Sequence, residues 1–147
     1  MTTASLPAFP SSYKRILLIQ LGDIGDVVLT LPAIRTLREN FPESRLVVCV
    51  REKAREIIED CPWASAVMTV RKEQKRLKRV VIDQIQWIRE LLSHRFDLAI
   101  DLRTDMRGAI IAGLSGAEMR IGRYAADGRL WRRALTWKTL YAALVES

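Results

Sequence analysis

Strand-like and helix-like stretches alternate along this sequence with short connections. That alternation predicts an α/β fold, a Rossmann-like open parallel sheet with helices on both faces. A second observation agrees. The first apolar stretch, Ile16 to Ile19, has no polar residue in alternation, as suits a strand covered on both faces. The third is the glycine-bracketed turn Gly22 to Gly25 after that stretch. It leads into apolar positions at helical spacing, the strand–loop–helix step of a βαβ unit.

Taken in order, residues 1–13 read as a flexible lead-in, and one domain fills 14–147. After the first strand, Val27, Leu31, Ile34 and Leu37 mark a helical stripe. Pro32 implies that the helix either starts near Thr30 or is kinked after an earlier start. Beyond Pro42, Arg45 to Val50 is β-branched and apolar, a second strand. Glu52 to Asp60 suits a short helix stopped before Pro62, and Ala66 to Val70 a third strand. Arg71 to Arg79 holds six basic residues in nine, a solvated or binding face. Val81, Ile85, Ile88, Leu91 and Leu92 then form the apolar stripe of a long helix, with Trp87 packing beside it. Phe96 to Leu102 is the next strand, Met106 to Leu114 a small-residue helix, and Met119 to Gly122 a fifth strand. In the tail, Leu130, Ala134, Trp137, Leu140, Tyr141 and Leu144 share a helical face.

Composition narrows the function classes. The 24 Lys and Arg against 17 Asp and Glu leave a formal net charge of +7, which favours anionic partners. No apolar stretch approaches the ~20 residues of a membrane helix. The N-terminus lacks a signal-peptide layout, so a cytoplasmic location is expected. Cys49 and Cys61 form no metal-binding spacing and have His94 as the single histidine, which makes them reduced, unremarkable thiols. No DxD occurs, and no metal is expected.

In an open parallel sheet, ligands sit beyond the carboxyl ends of the strands. Asp23 and Asp26 fall there. The turn has neither GxGxxG spacing nor a Walker GKS/GKT, so neither phosphate-cradle chemistry applies. Two carboxylates would repel a phosphate but could take a proton from a sugar hydroxyl. From position alone, Asp26 reads as a helix N-cap. Asp101, at a strand's carboxyl end, suits anchoring its own loop through backbone N–H groups.

The segment ILLIQLGDIGDVVLTLPAIRTLRENFP resembles the opening of the ADP-heptose:lipopolysaccharide heptosyltransferases, glycosyltransferase family 9. Gly25, Asp26 and Val27 match that family's Gly-Asp-Val. Leu31, Pro32 and Ala33 match its Leu-Pro-Ala helix, and Phe41 and Pro42 its Phe-Pro. Further on, Asp101, Leu102, Arg107, Arg120, Ile121 and Gly122 fit its later motifs. Arg103, Thr104 and Gly108 stand where Gln, Gly and Ser are usual. The resemblance implies the N-terminal, acceptor-side half of a two-domain GT-B enzyme whose nucleotide-sugar domain is absent, so this chain alone would be inactive. It implies inverting transfer of heptose from ADP-heptose to the lipopolysaccharide inner core, with Asp26 as base. Gly25, Asp23, Arg107, Arg120 and Arg129 are the candidate substrate-binding residues. No cofactor is implied, since the donor would be held mainly by the missing domain. The implied partners are the Kdo-bearing acceptor, the nucleotide-sugar donor and the anionic inner-membrane surface, with no nucleic acid. The competing reading is a non-enzymatic basic α/β module binding anions or nucleic acid. The aromatics do not interleave with the basic run as a base-stacking platform requires.

Overall fold

A computed structural model of the chain describes residues 12–71, 77–103, 106–124 and 143–146. The elements run β1 (Arg15–Gln20), α1 (Ile24–Asn40), β2 (Arg45–Arg51), a 3-10 turn (Glu52–Ala54) leading into α2 (Arg55–Glu59), then β3 (Ala66–Val70). They continue with α3 (Leu77–Ser93), β4 (Leu98–Asp101), α4 (Met106–Leu114), β5 (Met119–Tyr124) and β6 (Ala143–Glu146). Six strands form one sheet in the order β3-β2-β1-β4-β5-β6, and every pair is parallel. This is the Rossmann-like arrangement, and its order reverses between β1 and β4. The crevice beyond the carboxyl ends of those two strands is where such sheets bind ligands.

The unbroken apolar strands are covered on both faces. Leu17, Ile19, Val47, Cys49, Met68 and Ala99 pack against Leu91 of α3 and Ala109, Ile111 and Ala112 of α4. Ile16, Leu18, Leu46, Val48, Val50 and Leu98 point the other way, onto Val27 and Ile34 of α1 and onto Ala54 and Ile58. Each such side chain contributes about 1.5–3 kcal/mol on burial.

Several sequence expectations need correction. The lead-in ends earlier than residue 13: Tyr13 is buried, edge-on to Phe41 with ring centroids 5.7 Å apart. Lys14 and Arg15 backbone N–H groups donate to the Asp97 carboxylate at 2.8 and 3.1 Å. Residues 1–11 lie outside the described residues. Of the two starts left open for helix α1, the structure takes the earlier one. The helix begins at Ile24 and runs through Pro32, which lies on the exposed side while Val27 and Ile34 bury the helix on either side of it. Neither Gly22 nor Gly25 has positive φ; the described glycine that does is Gly116, at 69°. Leu144, expected on the tail helix, belongs instead to β6, which pairs with β5. The positions from Leu130 to Tyr141 lie outside the described residues.

Helix α3 departs most. Leu91 is buried and Trp87 and Ile88 are half-buried, but Val81 and Ile85, expected in the core, are about half exposed, as is Leu92. The geometry explains the first two. The Trp87 Nε1–H donates to the Thr69 carbonyl at 2.9 Å, one residue from the carboxyl end of β3. The helix runs back against the strand direction. At 100° per residue Ile85 lies about 160° round from Trp87 and Val81 about 80° round from Leu91, so packing Trp87 and Leu91 on the sheet turns both toward solvent.

Candidate active site

The site is built where β1 hands over to α1. Gln20 ends the apolar strand and is itself buried. Its Nε2 donates to Thr30 Oγ1 at 2.9 Å, its Oε1 accepts from the Gly22 N–H at 3.1 Å, and Thr30 Oγ1 donates to the Asp26 carbonyl at 2.7 Å. One amide thus ties strand end, turn and helix together. Leaving a buried amide like this unmatched would cost about 1–3 kcal/mol.

Asp23, not Asp26, is the helix N-cap. Asp26 is the third helical residue and reaches back: its Oδ2 accepts the Asp23 N–H at 3.0 Å, the return half of a capping box. The same oxygen accepts from Arg103 Nη1 at 3.1 Å. Arg103 arrives from the loop after β4, so the Asp26 carboxylate is held from both sides of the switch point. Gly22 is required here for room, not for φ, because a Cβ there would collide with the Asp26 carboxylate. Around the Cβ position of Gly25 nothing lies within 4 Å, so the first turn of α1 is bare on that side.

The β4 loop is fixed by Asp101, which is 1% exposed. Its Oδ1 accepts the Arg103 N–H at 3.0 Å, the loop-anchoring role expected of it. Gly108 of α4 lets that helix approach, since any side chain there would strike the Asp101 carboxylate. The Leu102 N–H donates to the Ile19 carbonyl at 3.1 Å. Between the two loops lies an open cleft of about 280 Å³, lined by Gln20, Asp26, Leu29, Thr30, Ala33 and Leu102.

The edge is rich in cations. Lys53 Nζ lies 2.5 Å from Asp23 Oδ1, and Arg51 Nη1 lies 3.5 Å from it. The hydrogen bond and charge of Lys53, with smaller help from Arg51 and Arg103, hold the Asp23 carboxyl below the usual carboxylate range. Arg107 is exposed in the first turn of α4, on the same edge. Arg120 is not there, although a carboxyl-end position was expected. It is the second residue of β5, opposite Ala99, and its Nη1 donates to the Ala117 carbonyl at 3.2 Å, toward the amino edge. Arg129 lies outside the described residues. Sequence reasoning overlooked Gln20, Thr30, Arg51 and Lys53, and took Arg103 only as a departure from a motif. The available signal was position: each of Gln20, Arg51 and Arg103 ends or follows a strand at the ligand edge.

Both cysteines are free and buried, and burial pushes the Cys49 thiol up to about 12. Among the described residues, no three His, Cys, Asp or Glu side chains are grouped to hold a metal ion. No described helix is long and apolar enough to cross a membrane.

No family model matches the chain. In sequence it is similar to lipopolysaccharide heptosyltransferase 3 of Escherichia coli, 23% identical over 114 residues that cover 76% of this chain and 34% of that protein. The protein of the same name from strain K12 is 22% identical, with 33% of its length covered. The chain therefore spans about a third of the length of the curated relatives it matches. Among solved structures it is similar to the glycosyl transferase family 9 protein of Veillonella parvula DSM 2008, with a TM-score of 0.72 and 22% identity, covering 92% of this chain and 36% of that one. It is also similar to E. coli heptosyltransferase WaaC with ADP, with a TM-score of 0.69 and 17% identity, covering 90% and 41%. The curated matches carry the resemblance to heptosyltransferases, and the solved structures carry the Rossmann-like fold.

Proposed function

We propose that this chain is the acceptor-side half of an inverting GT-B glycosyltransferase that moves heptose from ADP-heptose to the lipopolysaccharide inner core. The observation that supports the reading most is the Asp26 carboxylate, held between the Asp23 N–H and Arg103 beside the switch-point cleft. Both of its contacts among the described residues use Oδ2, which leaves Oδ1 for an incoming hydroxyl. In the proposed step, the acceptor hydroxyl donates to Oδ1 while its oxygen attacks the anomeric carbon. The new C–O bond forms as the bond from that carbon to the diphosphate oxygen breaks. The hydroxyl proton passes to Asp26, and ADP leaves with the bonding electron pair. WaaC with ADP supports an ADP-linked donor.

Arg51, Lys53, Arg103 and Arg107 bring positive charge to this edge, suited to an acceptor bearing carboxylates and phosphates. Asp23 occupies Lys53 and Arg51 as an internal counter-ion until such a group arrives. Gly25 leaves the helix start bare for a sugar to approach. The donor would be bound by a second, nucleotide-sugar domain, and the enzyme would work at the cytoplasmic face of the inner membrane.

The test is Asp26→Asn in a protein that joins this chain to its nucleotide-sugar domain, assayed by ADP release with a Kdo-lipid acceptor. Loss of about 10²–10⁴-fold in turnover is expected, the usual worth of a positioned base, with an unchanged circular dichroism spectrum. A near-normal rate would remove Asp26 from the chemistry.

A further inference from the structure

We propose that Arg103 senses the charge of the acceptor: it rests on Asp26, and an anionic group on the incoming sugar draws it off and releases the base. The inference rests on the transferase reading and gives Arg103 a positioning role, exerted through Asp26.

The cleft poses the problem. Among the described residues its lining holds one charged group, the Asp26 carboxylate, with Gln20, Thr30 and the apolar Leu29, Ala33 and Leu102 around it. A phosphate or carboxylate entering on an acceptor meets a like charge there. Arg103 follows Leu102 in the chain, and its Nη1 lies 3.1 Å from Asp26 Oδ2. It is therefore placed to offset the incoming charge. Lys53 and Arg51 are engaged elsewhere in the turn, at Asp23 Oδ1. The resting pair also opposes the reaction. A guanidinium on a carboxylate favours its charged form, whereas a base must take up a proton.

The pair is built to exchange. The Arg103 and Asp26 side chains are 36% and 48% exposed. An ion pair so open to solvent is favoured by about fivefold at most. The root of the arginine is fixed. Its N–H donates to Oδ1 of the buried Asp101 at 3.0 Å, and the Leu102 N–H donates to the Ile19 carbonyl at 3.1 Å. The side chain can therefore turn while the loop stays. Its planar fork suits a phosphate or a carboxylate through two oxygens. Asp26 keeps the Asp23 N–H at 3.0 Å when Arg103 leaves, so the base stays aimed. The resemblance puts glutamine at this position, and a neutral amide makes neither ion pair. The device is this chain's own.

The probe is inorganic phosphate, or acetate, titrated into the 147-residue chain and followed at the Gly22 and Leu102 backbone amides. Asp26→Asn should bind the anion about two- to fivefold more tightly, because the competitor for Arg103 is gone. Arg103→Gln should bind it about fivefold or more weakly, and Arg103→Lys should recover part of the loss. With Asp26→Asn and Arg103→Gln combined, the tightening should vanish. In the two-domain protein, Arg103→Gln should lower kcat/KM on a charged core fragment about tenfold. Removing the fragment's phosphates with phosphatase, or its carboxylates by esterification, shows which group Arg103 takes: the parent loses rate with one of them, and Arg103→Gln does not. Turnover of Asp26→Asn tests the base and its anion affinity tests the exchange, so each fails on its own result. Anion affinity unchanged in Asp26→Asn would mean that one guanidinium bridges both groups. Equal tightening without Arg103 would be a plain field effect. Equal rate losses by parent and Arg103→Gln on the altered fragments would leave Arg103 no part in reading charge. Any of the three overturns the proposal.

Discussion

Helices α1 and α3 are both 17 residues long, and both lead from a strand's carboxyl end back across the sheet. Their sequences suggest the opposite of what each does. In α1 the stripe of Val27, Leu31, Ile34 and Leu37 is blurred by exposed apolar residues at Ile24, Val28 and Leu29, a proline interrupts the middle and the N-terminus is acidic. Yet its start is pinned by Gln20, Thr30, Asp26 and Arg103 through four hydrogen bonds of 2.7–3.1 Å. In α3 the apolar periodicity is strong, yet half of the stripe hangs in solvent. A patterned helix announces that one face wants cover, not what covers it. A helix end held by polar contacts needs little pattern at all.

The largest way to break this contrast is at Asp26, where Asn is expected to cost orders of magnitude in turnover and little in stability. If the same change also lowered the melting temperature sharply, the carboxylate would be a structural clasp for α1 before anything else. Next in size is Leu91→Ala in α3, which empties a fully buried site and should cost about 2–5 kcal/mol. Ile85→Ala, on the exposed face, should cost well under about 1 kcal/mol by urea titration. Equal costs would mean that α3 is packed all round and that its two faces do not differ.

The same contrast governs what could be read from sequence. The parallel sheet was legible because β1, β2 and β4 are buried on both faces, so nothing breaks their apolar runs at Leu17–Ile19 or Val47–Cys49. Helix α4 was legible for a related reason: small residues such as Gly108 and Ala109 allow close approach to the sheet. The site was half legible. Asp26 and Asp101 follow strand ends within one contiguous motif each. The Asp26–Arg103 pair joins residues 77 apart, and only the β1–β4 adjacency brings them together. Arg120 was misplaced because a strand's sequence does not say how many residues precede its edge. The start of α1 was left open between two positions because Pro32 weighs heavily in a local reading, while Val27 and Ile34 bury the helix on both sides of it.

The two glycines of the turn sharpen the comparison at α1. Gly22→Ala forces the Asp26 side chain aside and should destabilise by about 1–3 kcal/mol, because the clash reaches its Cβ and displacement breaks its bonds to the Asp23 N–H and Arg103. Gly25→Ala meets open space within a helical turn and should stabilise by up to about 1 kcal/mol. Stability and activity then part ways. If the bare turn receives the acceptor, Gly25→Ala should raise the melting temperature and still lower the rate. A faster or unchanged enzyme would move the acceptor elsewhere.

The smallest expected effect lies at Asp23, where α1 meets the cations of β2. Lys53 lowers the Asp23 carboxyl below its ordinary value of 3.8. A carboxyl with a lowered folded-state pKa stabilises the fold above its ordinary value, and the contribution fades as pH falls through the lower folded value. Asp23 is three-quarters exposed, so the solvent screens most of this, and the helix should survive without it. Lys53→Met should move the Asp23 titration, followed by carboxyl carbon NMR, back up toward 3.8. It should also flatten the loss of melting temperature on acidification below that pH. The same substitution frees the N-cap carboxylate while removing a cation from the acceptor edge. It should therefore raise KM for a charged acceptor more than it lowers kcat. A shift in kcat alone would mean that Lys53 acts through Asp23 on the helix and Asp26, and not on the incoming sugar.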